Sequence, residues 1–145
     1  MEKQKQFCTF YLDNLFFGID VLKVQEIIRY QDMTQVPLAP PVISGLINLR
    51  GQVVTAMDLR PRLGLGKRNA DDLPMNVIIR TEDDTVSFLV DEIGDVVEPD
   101  EDTFELPPET IGSGLRKLIN GVYKLDGQLL LVMDAERTMD LTAST

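Results

Sequence analysis

The sequence predicts a mainly β chain folded as two small barrels of about five strands each, which share a joint core and carry short helices. Three observations point there. The chain repeats itself: residues 45–63, GLINLRGQVVTAMDLRPRL, recur 76 residues later as residues 121–139, GVYKLDGQLLLVMDAERTM. Six aligned pairs are identical, namely Gly45/Gly121, Leu49/Leu125, Gly51/Gly127, Gln52/Gln128, Met57/Met133 and Asp58/Asp134. A repeated supersecondary unit fixes the architecture before any propensity argument. The second observation is that apolar runs of strand length alternate with turn residues along most of the chain. The third is size. The 145 residues suffice for one domain, whereas half of them bury too little surface alone, and closing each half into a barrel removes free sheet edges. The reading is a single domain over residues 7–140, with approximate subdomains 7–66 and 74–140 and the exchange of strands between them left open.

Taken in order, Cys8, Phe10 and Leu12 alternate onto one face, Asp13-Asn14 is a turn pair, and residues 15–21 resume, so residues 7–21 read as a hairpin with the Cys8 thiol turned to the core. Val21, Val24 and Ile28 have helical spacing in a β-branched stretch, which predicts a short helical turn passing into a strand toward Tyr30. Pro41 suits the first turn of a short helix ending near Gly45. The repeat unit then reads as strand, tight turn at Arg50-Gly51, strand, and a helical segment capped by Asp58 and ending at Gly64. Residues 64–73 form the linker. Residues 75–80 and 85–90 make a hairpin, with Val86, Phe88 and Val90 on one face. A loop over residues 98–116 follows, then the second copy turning at Asp126-Gly127, a terminal helical turn at 134–140, and frayed residues 142–145.

Composition excludes much chemistry. There is no histidine and one cysteine, which removes histidine-based catalysis, histidine or thiolate metal sites within the chain, and an intramolecular disulfide. No apolar run approaches a membrane span, and residues 1–8 lack the apolar core of a signal peptide, so the expected setting is cytoplasmic. The net charge of −10 is uneven: residues 1–70 sum to +3 and residues 71–145 to −13, with twelve acids and no Lys or Arg over residues 82–109. That argues against nucleic acid or an anionic membrane as the main partner. A solvated acidic face is the plain reading, and an electrostatically selected protein partner is the sharper one. Gly66-Lys67 lacks the other residues of a phosphate-binding loop, since Pro61 and Arg68 stand where glycine and a hydroxyl belong. The carboxylate pairs fall in turns, where Asp serves turn geometry. No catalytic residues, metal ligands or cofactor are predicted.

Duplication also acts as a filter. Positions common to both copies are what the fold needs: turn glycines, core methionines, capping aspartates. Positions that differ in kind are where function is sought, and the largest difference is Arg50 against Asp126, with Asn48 against Lys124 beside it. Arginine favours interface anchoring because its planar fork pairs with carboxylates. The stretch Gly45-x-x-Asn48-Leu49-Arg50-Gly51 with Asp58-Leu59-Arg60 closely resembles the signature of the CheW family, the coupling adaptors of bacterial chemotaxis. Phe17-Gly18-Ile19, Val24-Gln25-Glu26-Ile27, Val36-Pro37 and residues 90–96 resemble it too, so the likeness spans about residues 7–140. Thr55 departs from it, standing where many relatives have proline.

The resemblance implies two five-stranded SH3-like barrels with a joint core, and no enzymatic activity. It implies a scaffold that bridges chemoreceptor (methyl-accepting chemotaxis protein) cytoplasmic tips to the regulatory domain of the histidine kinase CheA and is recruited to membrane-associated receptor arrays. Carried over by position, Arg50, Glu26 and Val24 lie on the receptor-facing surface, with Ile27, Asn48 and Gly51 beside them; the kinase-binding surface is not located. The alternatives from the residues alone are a β-barrel interaction module in another receptor–kinase pathway or with an unrelated partner.

Overall fold

The alternation in residues 7–21 produces the expected antiparallel hairpin, β1 (Phe7–Leu12) and β2 (Leu15–Asp20), with Phe10 opposite Phe17. The structure, a computed structural model, describes residues 5–141. The Asp20 side chain accepts from the Leu22 N–H at 2.9 Å and caps a 3-10 turn, Val21–Lys23, from which the chain enters β3 (Val24–Ile28). The first repeat unit is β4 (Ile43–Leu49), β5 (Gln52–Asp58) and α1 (Leu59–Arg62). The second hairpin is β6 (Met75–Arg80) and β7 (Thr85–Val90). It is followed by β8 (Glu92–Val97), the two-residue β9 (Phe104–Glu105) and α2 (Ser113–Arg116). The second unit is β10 (Ile119–Leu125), β11 (Gln128–Met133) and α3 (Ala135–Met139). Asp58 and Asp134 cap their helices, accepting from Arg60 N at 3.1 Å and Arg137 N at 3.0 Å.

The strands form two sheets, β8-β1-β2-β11-β10-β9 and β3-β6-β7-β5-β4. The architecture is the mainly β pair of small barrels with short helices, and the sixth strand of the first sheet is the short β9. Each sheet takes strands from both sequence halves: β1 and β2 pair into the sheet of the second repeat unit, while β6 and β7 join that of the first. The chain therefore passes between sheets after Asp20 and again at Asp91, and residues 64–73 connect two strands of the same sheet. Thr55 lies in β5 between β4 and β7, where its N–H can serve a ladder that proline cannot.

Interleaving explains why these strands read as continuous apolar runs rather than clean alternation. Phe10, Phe17, Ile19, Met57, Val77, Phe88, Val90, Val122 and Met133 meet in a core common to both sheets. The neighbours that point the other way, such as Ile78 and Leu89 or Phe16 and Leu130, fill a small core inside each barrel. A strand buried on both faces has no polar side to show. Cys8 is buried, as its place on the alternating face predicts.

Two expectations are corrected. No helix forms at Pro41; the segment makes a turn in which Ile43 N donates to Pro40 O at 2.9 Å and leads straight into β4, because three prolines in six residues strip the donors a helix needs. Nor are all the repeated glycines turn residues. Gly45 and Gly121 sit inside β4 and β10 at register shifts. A Cβ on Gly45 would stand 2.8 Å from the Thr34 carbonyl oxygen, and one on Gly121 2.8 Å from that of Glu105. In both halves a passing segment pairs there, Thr34 with Leu46 and Glu105 with Val122, extending the sheet edge. The repeated glycine makes room for it.

Candidate functional site

The turn between β4 and β5 places Arg50 (φ 52°) and Gly51 (φ 89°) both in left-handed conformations, the pattern of a two-residue hairpin turn. The Asn48 side-chain oxygen accepts the Gly51 N–H at 2.8 Å and fixes the turn. The second copy behaves differently. Gly127 is left-handed (φ 84°) but Asp126 is not, so the fold does not require a non-glycine residue at positive φ here. Strain that the fold does not need is a pointer to use.

Arg50 extends to Glu26. Its Nη1 donates to Glu26 Oε1 at 3.1 Å, and Nη2 pairs with Oε2, closing a fork. Hydrogen bonding from Arg50 holds the Glu26 carboxyl below the usual glutamate range, and the same pairing raises Arg50 further. Because β3 and β4 are opposite edges of one five-stranded sheet, this pair ties the two edges together as the sheet curls into a barrel. The Arg50 side chain remains 67% exposed and that of Glu26 24%, so the arginine faces solvent over a carboxylate set behind it.

The remaining predicted residues do not all join this pair. Val24 is half-buried against the shared core. Ile27, 37% exposed, adjoins Glu26 in β3 and so points to the opposite face of that strand. The structure joins Glu26 with Arg50, and Asn48 with Gly51.

A second charged constellation escaped the sequence reading. Arg60, buried in α1, donates to Asp13 at 2.6 Å, to Asp91 at 2.5 Å and to the Gly66 carbonyl at 2.6 Å. Arg68 of the linker donates to Asp91 at 3.0 Å and to Asp58 at 3.1 Å. Burial works against the Arg60 charge, and Asp13 and Asp91 more than offset it, so its pKa rises. The cluster joins the β1–β2 turn, the end of β5, the linker and the point where the chain crosses between sheets. It is internally paired and holds the two barrels together. Asp58 and Asp91 both stood in quoted motifs, but capping alone seemed to account for Asp58, and nothing in the spacing placed Arg68 near them. Among the described residues no group of three or more Cys, Asp or Glu is arranged to hold a metal ion, and no helix is long and apolar enough to cross a membrane.

The profile of the CheW-like domain matches residues 6–143. The chain belongs to the CheW-like family. CheW membership makes it an adaptor of chemotaxis signalling, in a family that is non-catalytic. The chain is 34% identical to the chemotaxis protein CheW of Bacillus subtilis over 136 residues, covering 94% of this chain and 87% of that one. It is 29% identical to that of Treponema pallidum over 140 residues, covering 94% and 82%. In structure it is similar to the scaffolding protein TtCheW of Thermoanaerobacter tengcongensis, with a TM-score of 0.83, 27% identity, and coverage of 97% of this chain and 91% of that one. The two barrels are thus the SH3-like subdomains of CheW.

Proposed function

We propose that this chain couples the cytoplasmic tips of chemoreceptors to the histidine kinase CheA, working in the cytoplasm at membrane-associated receptor arrays and catalysing nothing itself. The receptor-facing surface is the end of the β3/β4 edge carrying Glu26 and Arg50, with Asn48 and Gly51 holding the turn and Val24 and Ile27 supplying apolar contact. The observation that carries this reading is the exposed Arg50–Glu26 fork on a left-handed turn that the second copy of the repeat lacks.

The chemistry suits docking. Glu26 takes two of the five N–H donors of Arg50 and leaves the others outward. It also neutralises the guanidinium, so a receptor helix covering it does not bury an unpaired charge. Because Arg50 keeps Glu26 ionised, the fork stays intact at neutral pH. Each contact can be modest, since linkage in an array multiplies avidity by ~10²–10⁴, and kinase control needs only the ~1–3 kcal/mol typical of coupling between sites. Arg50→Glu sets two carboxylates against each other at the fork. The variant is expected to lose receptor pull-down while its circular dichroism stays that of the wild type; unchanged pull-down rejects the assignment.

A further inference from the structure

Leu38 is the most exposed large apolar residue described, at 103%, and its backbone is left-handed at φ 64°. It occupies the third position of a turn closed by Ala39 N donating to Val36 O at 3.3 Å, with Pro37 at the second position. A turn with proline second and a left-handed third residue favours glycine or asparagine there. A branched side chain at positive φ is strained, and this one recovers nothing by burial. The fold is therefore worse served by Leu38 than by glycine.

The surroundings suit contact with a protein. Val36 is 38% exposed beside it, and no charged residue occurs from Met33 to Leu49 in a chain that is 26% charged. Pro37, Pro40 and Pro41 stiffen the segment, so less freedom is lost when it docks. The partner is set by position. Thr34 pairs antiparallel with Leu46, so the chain runs from there toward the start of β4, and Leu38 lies beyond that start. Arg50 lies beyond the other end, about 20 Å away along seven strand residues. An adaptor holding two partners at once needs two separated surfaces.

We propose that the turn at residues 36–39 is a docking knob whose Leu38 seats in an apolar socket on the kinase, leaving the Arg50 end free for the receptor. The inference rests on the coupling function proposed above. The test uses the full chain as wild type, Leu38→Gly, Leu38→Ala and Leu38→Met, with the full-length kinase and a receptor cytoplasmic fragment as separate probes. Leu38→Gly and Leu38→Ala weaken kinase binding about ten- to a hundredfold, the range for losing one buried leucine. Leu38→Met, which refills the socket, restores most of it, and receptor binding does not change. Leu38→Gly also melts no lower than the wild type, which separates the contact from a structural role. Kinase binding unchanged in Leu38→Gly, or a loss confined to the receptor, overturns the proposal. A wild-type chain that binds neither partner instead overturns the coupling function, and this inference with it.

Discussion

Asp91→Asn removes the anion at the centre of the charged cluster. The carboxylate receives Arg60 Nη1 at 2.5 Å and Arg68 Nε at 3.0 Å, and it also takes the Asp13 backbone N–H at 2.9 Å. Hydrogen bonds to charged groups contribute about 1.5–3 kcal/mol each when well buried. The Asp91 side chain is 21% exposed, and solvent screening brings that to roughly 1 kcal/mol per bond. Asparagine keeps one acceptor and turns an N–H₂ group toward a guanidinium, so two bonds are lost and the two arginines face each other with less compensation. The sum is about 2–3 kcal/mol. For a chain of this length each kcal/mol moves the midpoint about 3 °C, which predicts a fall of about 6–9 °C. The chain has no tryptophan, so the transition is followed by far-ultraviolet circular dichroism. Asp13→Asn is the control: its side chain is 45% exposed and meets Arg60 only, and its loss costs under about 1 kcal/mol. A fall under 2 °C for Asp91→Asn, or one no larger than that of Asp13→Asn, refutes the view that this cluster holds the barrels together.

Gly121→Ala drives a methyl against the Glu105 carbonyl and the Phe104 ring; it is expected to cost about 1–3 kcal/mol and to release β9, seen as faster amide exchange at residues 104–105 than in wild type. Hydrogen bonding from Lys23 lowers the Glu136 carboxyl below the usual range, and the same bond raises the Lys23 amine. The pair is therefore complete from above the lowered Glu136 value to below the raised Lys23 value, and breaks as pH falls through the first or rises through the second. Nuclear magnetic resonance titration should find the Glu136 midpoint low, returning to the ordinary range in Lys23→Met. Burial, with Asp20 adding to it, pushes the Cys8 thiol up, so a thiol reagent should label the folded chain far more slowly than the chain in denaturant.

How much was legible followed how local each feature is. The hairpins at residues 7–21 and 75–90 were readable because turn pairs and alternation lie side by side in sequence. The repeat announced both strand–turn–strand–helix units and their capping aspartates. Arg50 stood out because its own second copy carries Asp126. What was missed depends on partners far apart: Thr34 against Gly45 across a bulge, β8 and β9 joined to strands from elsewhere, and Arg68 reaching Asp91 across the fold. Residue type cannot say that Gly45 yields space to a backbone rather than turning a corner. The fork between Glu26 and Arg50 was open to inference only as two neighbours on one surface, since nothing in the sequence says that β3 and β4 meet as the edges of a closing sheet.

The coupling claim is tested most directly by kinase autophosphorylation in a mixture of CheA, receptor-containing membranes and this chain. With the wild type, receptor control of the kinase should appear only when the chain is added; with Arg50→Glu it should not, although that variant still binds the kinase. Receptor-dependent control that is equal with Arg50→Glu and wild type, or that needs no chain at all, contradicts the account.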